Sequence, residues 1–341
     1  METTPQVRPV FIHAMWRTGS TYIWNKFREK VGYRAYCEPL HEDLARLRRE
    51  DIEQVEIQKV NRHLHHPLLT KHYFDELPTD AEGRVPLYRK EFAHDLYCLD
   101  PEEEQPELAA YIQSLLDHAA RHGEVPVLQF NRSLFRSAWL SARFAPVNIL
   151  LVRNPFDTWK SFALNEYFYG GVCRIVGQHR ARPYLTAIAD RWKVPYVEGT
   201  HEERDLAYRA FYGERGDALY PMFYALTMVS ILQNLPHTDV VFDIDALSAM
   251  DAVRSEVQAR LQTYQIEVPF ADCSIRNYPA DADEAERAQQ EQAILRYLRV
   301  AYRSRRDALR PLFLRHAPVL APELRGALEQ ILADGMAASA R

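Results

Sequence analysis

Short apolar runs alternate with amphipathic stretches along this chain. Residues 9–12 hold Val10-Phe-Ile12 and read as a strand; after a polar turn, Tyr22, Ile23, Phe27 and Val31 recur at helical spacing and predict a helix over 20–31. Residues 42–66 are polar and helix-compatible, with apolar positions at Leu44, Leu47, Ile52, Val55 and Val60, and 106–121 form a clearer amphipathic helix. Val125–Phe130 and Val147–Val152 read as buried strands with a helix over 133–143 between them. The unbroken run Ile149-Leu-Leu-Val152 suits a parallel strand covered on both faces. Further helices are expected over 157–167 and 221–235, and a strand over 239–243. From Asp281 onward the Ala-, Gln-, Glu-, Arg- and Leu-rich chain predicts a helical C-terminal segment. Strands alternating with helices predict an α/β fold, a mainly parallel sheet flanked by helices, whose ligands bind at the carboxyl ends of the strands.

The turn after the first strand changes this picture. It reads Ala14-Met-Trp-Arg17-Thr18-Gly19-Ser20-Thr21 and leads straight into the first helix. Strand, glycine-bearing loop and helix together aim backbone N–H groups at an anion. The loop of P-loop NTPases reads G-x-x-x-x-G-K-[ST]. Aligned on Gly19 and Thr21, this chain has Ala14 for the first glycine and Ser20 for the lysine, with a cation at Arg17 instead. A P-loop NTPase-like sheet is expected, with a loop suited to a phosphate but poorly equipped for Mg-NTP.

Composition narrows the class. The 341 residues, 47% hydrophobic, can bury a large core and are read as a single domain, 1–341, with its core over about 8–250 and a helical C-terminal segment over 281–341. A net charge of −5 argues against a nucleic-acid partner. The segment from Arg121 to Lys193 nevertheless carries 11 Lys/Arg against 4 Asp/Glu, which points to an anionic ligand bound locally or to a solvated basic face. Cys37, Cys98, Cys173 and Cys273 have no metal-ligand or redox spacing, and His63, His65 and His66 read as surface or helix residues, so no metal is expected. No secretory signal and no membrane span is read, and a reduced, cytoplasmic chain is the simplest expectation. Oligomeric state has no sequence signal.

A second anion site follows the Val147–Val152 strand: Arg153-Asn-Pro155, with Ser161 eight residues after the arginine. Arginine offers a phosphate a planar fork and serine one hydroxyl donor. With both motifs in order, the chain resembles PAPS-dependent sulfotransferases, PAPS being 3′-phosphoadenosine 5′-phosphosulfate. In that family a loop R-S-G-[ST]-T after a strand holds the 5′-phosphosulfate. A strand followed by [RK]-[DN]-P, with a serine eight positions after the basic residue, holds the 3′-phosphate. The resemblance covers about residues 8–165, more loosely to 250, where Asp239-Val-Val-Phe-Asp-Ile-Asp-Ala-Leu247 resembles a later strand and turn. The Arg-Lys-Gly segment of the cytosolic phenol and steroid branch is absent, so the chain is closer to carbohydrate and bacterial members.

The resemblance implies that Arg17, Thr18, Gly19, Ser20 and Thr21 hold the 5′ end of PAPS and that Arg153 and Ser161 hold its 3′-phosphate. It implies sulfuryl transfer, without a metal, to a hydroxyl of a carbohydrate or small-metabolite acceptor. Arg17 would stabilise the charge that develops in transfer. Glu38, in Tyr36-Cys-Glu-Pro-Leu-His41, matches the Glu-Pro pair of many carbohydrate and bacterial members and is the first candidate for the general base. His41 is the second, and His13, at the end of the first strand, the third. Asn131 or Arg132, after the Val125–Phe130 strand, would bind acceptor or sulfate. Acceptor loops are expected over 40–100 and 165–215, the latter also reading as a helical insertion in the fold. Two other readings remain at this point: a P-loop small-molecule kinase, which would want a lysine at position 20, and a catalytically inactive sulfotransferase-like binding protein.

Overall fold

The computed structural model describes residues 8–58, 68–163, 167–275 and 284–334. His63, His65, His66 and Val60 lie outside the described residues, as does the start of the C-terminal segment at Asp281. The chain forms two compact units: Met1–Val152 with His237–Arg276, and Arg153–Pro236 with Asn277–Arg341.

The first unit holds the sheet. Its strands are β1 (Val10–Ala14), β2 (Tyr33–Cys37), β3 (Val125–Phe130), β4 (Val147–Val152) and β5 (Val240–Asp243). All pair in parallel, in the order β2-β3-β1-β4-β5. β1, β4 and β5 are buried along their whole length, as their apolar runs require of a sheet covered on both faces. The helices of this unit are α1 (Ser20–Arg28), α2 (Arg49–Gln54), α3 (Pro106–Arg121), α4 (Ser137–Phe144), and, after β5, α10 (Ile244–Ala249) and α11 (Asp251–Gln262). α3 buries Leu108, Tyr111, Ile112, Leu115 and Ala119, one face at helical spacing, in a core with Phe11, Leu128, Phe130 and Trp139. From α1, the indole N–H of Trp24 donates to the Ala35 carbonyl of β2 at 2.9 Å.

Several boundaries depart from the sequence expectation for local reasons. α1 stops at Arg28 because Val31 is 94% exposed and Gly32 turns the chain at φ +92°. The expected helix over 133–143 begins only at Ser137, since 133–136 close a turn through Arg136 N–H to Ser133 O. β2 carries no clean alternation and was not expected as a strand; its three buried residues, Ala35, Tyr36 and Cys37, lie at its carboxyl end.

The second unit is helical: α5 (Pro155–Phe162), α6 (Tyr167–Gln178), α7 (Pro183–Trp192), α8 (His201–Glu214), α9 (Gly216–Asn234), then α12 (Glu284–Ala301), α13 (Arg306–His316) and α14 (Pro322–Leu332). α9 is buried almost all round and packs on α5, α6, α7, α8 and α12. The 165–215 stretch, open between an acceptor loop and a helical insertion, is mostly helix. Trp159 of α5 stacks on Phe162 and Tyr169, with ring centroids 5.4 and 5.6 Å away; Phe162 is buried, and Trp159 and Tyr169 are half-buried.

Much of the basic segment is consumed internally. Arg174 pairs with Asp205, Arg180 with Asp190 at 2.7 Å, and Arg143 donates to the Pro101 carbonyl at 2.6 Å. Arg136, fully buried, donates to the carbonyls of Arg132 (2.7 Å), Phe92 (2.7 Å) and Leu96 (2.8 Å). Burial lowers its guanidinium to about 10, still charged at neutral pH. This fork fastens the turn 92–96 to the start of α4. Arg136→Met leaves three buried carbonyls without their donor and is expected to cost about 3 kcal/mol or more. Arg136→Lys, with a point charge in place of a planar fork, is expected to recover less than half of that. Urea unfolding of the two variants checks both values.

Candidate functional site

The sheet order sets where a site can form. From β1 the chain leaves toward β2 on one side; from β4 it leaves toward β5 on the other. Such a reversal opens a crevice at the carboxyl ends of neighbouring strands. The loop 15–19 emerges from β1 at this point. Arg17 and Gly19 both adopt left-handed backbone, with φ +68° and +86°. Left-handed residues in a turn bring successive N–H groups to face one concavity. Gly19 is also the N-cap of α1 and supplies no side-chain cap, so the dipole end of this nine-residue helix is served by backbone alone. A Cβ on Gly19 would lie 3.3 Å from two side-chain carbons of Ile244, the residue after β5, a tight contact added to the strain of its positive φ.

The expected loop residues fall together. Ser20 is buried, Arg17 and Thr21 are half-buried, and all lie within one turn of the helix start. Thr18 is corrected in one respect: its hydroxyl donates to the Met15 carbonyl at 2.7 Å, so its hydroxyl proton is already engaged within the loop.

Three loops leave β1, β2 and β3 side by side, because β1 and β2 both pair with β3, His13 opposite Phe130 and Cys37 opposite Gln129. Glu38 follows β2 directly. It is 6% exposed, holds left-handed backbone at φ +46°, and its N–H donates to the Gln129 carbonyl at 2.8 Å. A non-glycine residue in that region carries strain that its surroundings must over-determine. Arg132, two residues past β3 and 1% exposed, supplies the constraint. Its Nη1 donates to Glu38 Oε2 at 2.8 Å, and its Nη2 meets Glu42 Oε2 at 2.6 Å. His94 Nε2 stands 3.5 Å from the same Glu42 oxygen. The Arg132 guanidinium also lies 5.9 Å from the centroid of the Trp16 ring, which joins this cluster to the β1 loop.

Burial raises the Glu38 carboxyl, and Arg132 with Gln129 offsets only part of that rise. Burial works the same way on Glu42, but Arg132, with His94 and His41, outweighs it and holds Glu42 far below the usual carboxylate range. Two carboxylates share one guanidinium, Glu38 raised and Glu42 lowered from the ordinary range. Arg132 is thus committed to two carboxylates rather than presented to a ligand, and Asn131 accepts from Gln129 Nε2 at 3.0 Å. Glu42 and His94 were not singled out from sequence. The available signal for Glu42 was its position four residues after Glu38, on the same loop.

The two histidines once considered as bases are engaged elsewhere. His41 Nδ1 accepts from the Asp43 N–H at 3.2 Å and caps the turn 42–45; burial, then Arg132, lowers its pKa to about 3. His13 is 2% exposed, and both ring nitrogens are bonded, Nδ1 with Ser133 Oγ at 2.7 Å and Nε2 with Asn148 Oδ1 at 2.9 Å. The Asn148 carbonyl oxygen requires a proton on Nε2, so Nδ1 accepts from Ser133. His13 is a buried strut between β1, β4 and the 133–136 turn.

Arg153 and Ser161 belong to the second unit, and both are buried. Arg153 immediately precedes Asn154, whose Oδ1 accepts from the N–H groups of Phe156 (2.9 Å) and Asp157 (3.3 Å) and so caps α5; Ser161 lies in the last turn of that helix. Among the described residues no group of His, Cys, Asp and Glu has an arrangement that could hold a metal ion, and no helix is long and apolar enough to cross a membrane. Comparison with protein-family models, with curated proteins and with solved structures finds no match.

The buried His13 gives the site a pH-dependent stability. Burial lowers its pKa from 6.5 to about 4. The unfolded chain therefore takes up a proton that the folded one refuses: the stabilisation is complete above pH ~6.5 and is lost as pH falls toward 4. Between pH 7 and 5 this amounts to about 2 kcal/mol. His13→Gln, which retains a donor toward Asn148, is expected to reduce the loss of unfolding free energy between those two pH values by about that amount. Urea titrations at both pH values measure it, and an undiminished difference would contradict the assignment.

Proposed function

We infer that the chain is a PAPS-dependent sulfotransferase with a P-loop NTPase-like core, acting on a hydroxyl of a carbohydrate or small-metabolite acceptor. The observation that carries the reading is the β1 loop. Left-handed Arg17 and Gly19 lead into a helix start without a side-chain cap, at the carboxyl end of the central strand, and no lysine follows Gly19. Such a loop suits a phosphosulfate held by N–H groups, hydroxyls and one arginine. The neighbouring Glu38, a buried carboxyl with raised proton affinity, is the second support. Arg153 and Ser161 are assigned to the 3′-phosphate on the motif resemblance alone.

The chemistry follows from these residues. The acceptor hydroxyl oxygen forms a bond to sulfur as the bond from sulfur to the 5′-phosphate oxygen breaks. The electron pair of the broken bond leaves on the phosphate, and the hydroxyl proton passes to the Glu38 carboxylate. Arg17, the loop N–H groups and the Ser20 and Thr21 hydroxyls stabilise charge on the leaving phosphate and on the sulfuryl oxygens. As in phosphoryl transfer, alignment and charge stabilisation do most of the work.

Adenosine 3′,5′-bisphosphate, the product nucleotide, is expected to stabilise the protein against heat, by about 2.7 kcal/mol at a hundredfold excess over Kd. Mg-ATP is expected to have little effect. Arg17→Ala should weaken bisphosphate binding at least tenfold. Arg153→Ala should weaken it far more than it weakens binding of adenosine 5′-phosphosulfate, which lacks the 3′-phosphate. Thermal shift and calorimetry measure all of these. Stabilisation by Mg-ATP alone would overturn the reading in favour of a kinase.

A further inference from the structure

An arginine fork usually closes both its nitrogens on the two oxygens of one carboxylate. Arg132 does not. Its Nη1 donates to Glu38 Oε2 at 2.8 Å, while its Nη2 forms an ion pair with Glu42 Oε2 at 2.6 Å. Glu38 is thereby gripped through one oxygen. Its other oxygen, Oε1, has a 3.5 Å contact with Gln129 Nε2, a group aimed more closely at Asn131 Oδ1, 3.0 Å away. Glu38 cannot swing to present both oxygens to Arg132 without displacing Glu42, and its own left-handed backbone fixes where its side chain starts.

We propose that Glu42 is a positioning residue for Glu38: by occupying the second nitrogen of the Arg132 fork it prevents a two-oxygen clasp on Glu38 and leaves Glu38 Oε1 to receive a proton from an acceptor hydroxyl. The inference rests on the assignment of Glu38 as general base. The charge balance works in the same direction. One guanidinium and two carboxylates sum to zero when Glu38 is protonated and to −1 when it is ionised. Glu42, the carboxylate held ionised by Arg132, makes Glu38 the member of the trio that takes up the proton. Remove the Glu42 charge and the whole guanidinium falls to Glu38, which then becomes a weaker base.

The other titratable groups around the trio do not supply this effect. Cys37 of β2 and the phenols of Tyr73, Tyr88 and Tyr97 are all raised by burial and stay neutral in the range where a carboxyl titrates. His41 is lowered to about 3, and Arg136 remains a cation. Asp43 and Arg46 lie further out on the His41 turn, paired with each other at 2.6 Å. His94 faces Glu42 at 3.5 Å and is the one neighbour that needs its own control.

The test reads the Glu38 carboxyl directly, by carbon-13 NMR of glutamate-labelled full-length protein titrated from pH 3 to 9, with Glu38→Gln identifying the signal. In the unsubstituted protein, Glu38 is expected to titrate above the ordinary glutamate range while Glu42 stays ionised to the acid limit. In Glu42→Gln the Glu38 midpoint is expected to fall by about one pH unit, a tenfold loss of proton affinity. Glu42→Asp, which keeps the charge, is expected to preserve most of the original midpoint, and His94→Gln to leave Glu38 above the ordinary range. An unmoved Glu38 midpoint in a folded Glu42→Gln protein overturns the proposal. If that variant does not fold, the unsubstituted titration decides alone: Glu38 and Glu42 titrating together in the ordinary range overturns it. The nucleotide arm separates this from the underlying reading. Bisphosphate stabilisation with an unmoved midpoint removes the role of Glu42 and leaves the sulfotransferase reading intact. A moved midpoint with stabilisation by Mg-ATP alone keeps the coupling and removes the general base it was proposed to serve.

Discussion

One buried guanidinium organises the carboxyl edge of the sheet. Arg132 is 1% exposed, and taking its charge out of water is costly enough that the fold must surround it with partners. Glu38 and Glu42 supply the charge, and Trp16 supplies an aromatic neighbour. The backbone is held in turn by Arg136, which donates to the Arg132 carbonyl and to the 92–96 turn that carries His94. The partners come from the loops after β1 and β2 and from the 92–96 turn, so these and the loop after β3 are fixed by one electrostatic requirement. Loss of either carboxylate hands the whole guanidinium to the other, which is why neither acid can be treated as an independent surface group.

The parallel sheet makes that requirement achievable. Because β1, β2 and β3 run the same way in adjacent positions, residues just past their carboxyl ends share one edge. Register then decides proximity: Cys37 opposite Gln129 puts the Glu38 N–H on the Gln129 carbonyl, and Arg132 follows three residues later. His13 reinforces the same edge from below by joining β1 to Ser133 and Asn148. The β1 loop is therefore mounted on a cross-linked strand end, which is what the proposed alignment of two reactants would need.

The parts of this arrangement that sequence revealed are those governed by local periodicity. α3, β3 and β4 fall where the apolar pattern puts them, since each is a long or unbroken run with one consistent buried set. β2 was missed because an edge strand with only three buried residues leaves no pattern distinct from a loop. The loop residues Arg17 to Thr21 were legible because strand, turn and helix follow one another within a dozen positions. The excess of arginine between 121 and 193 has an account that composition cannot give. Several of these arginines are engaged by carboxylates and carbonyls distant in sequence, such as Glu38 and Glu42 for Arg132 or Phe92 and Leu96 for Arg136, and composition counts cannot see partners forty to ninety residues away.

That balance bears on a conflict built into the proposed chemistry. A loop that binds a polyanion must be surrounded by positive potential, from an arginine, a helix start and backbone N–H groups. A carboxylate placed beside it is pulled toward the ionised form and becomes a poor proton acceptor. Burial alone could restore basicity, but a buried carboxyl with no partner would be unsatisfied and free to turn away. Here a cation grips Glu38 through one oxygen while a second carboxylate shares that cation's field. In the proposed chemistry, orientation and proton affinity are thereby supplied by different atoms of the same guanidinium, which would keep Glu38 both fixed and basic beside a loop proposed to bind an anion.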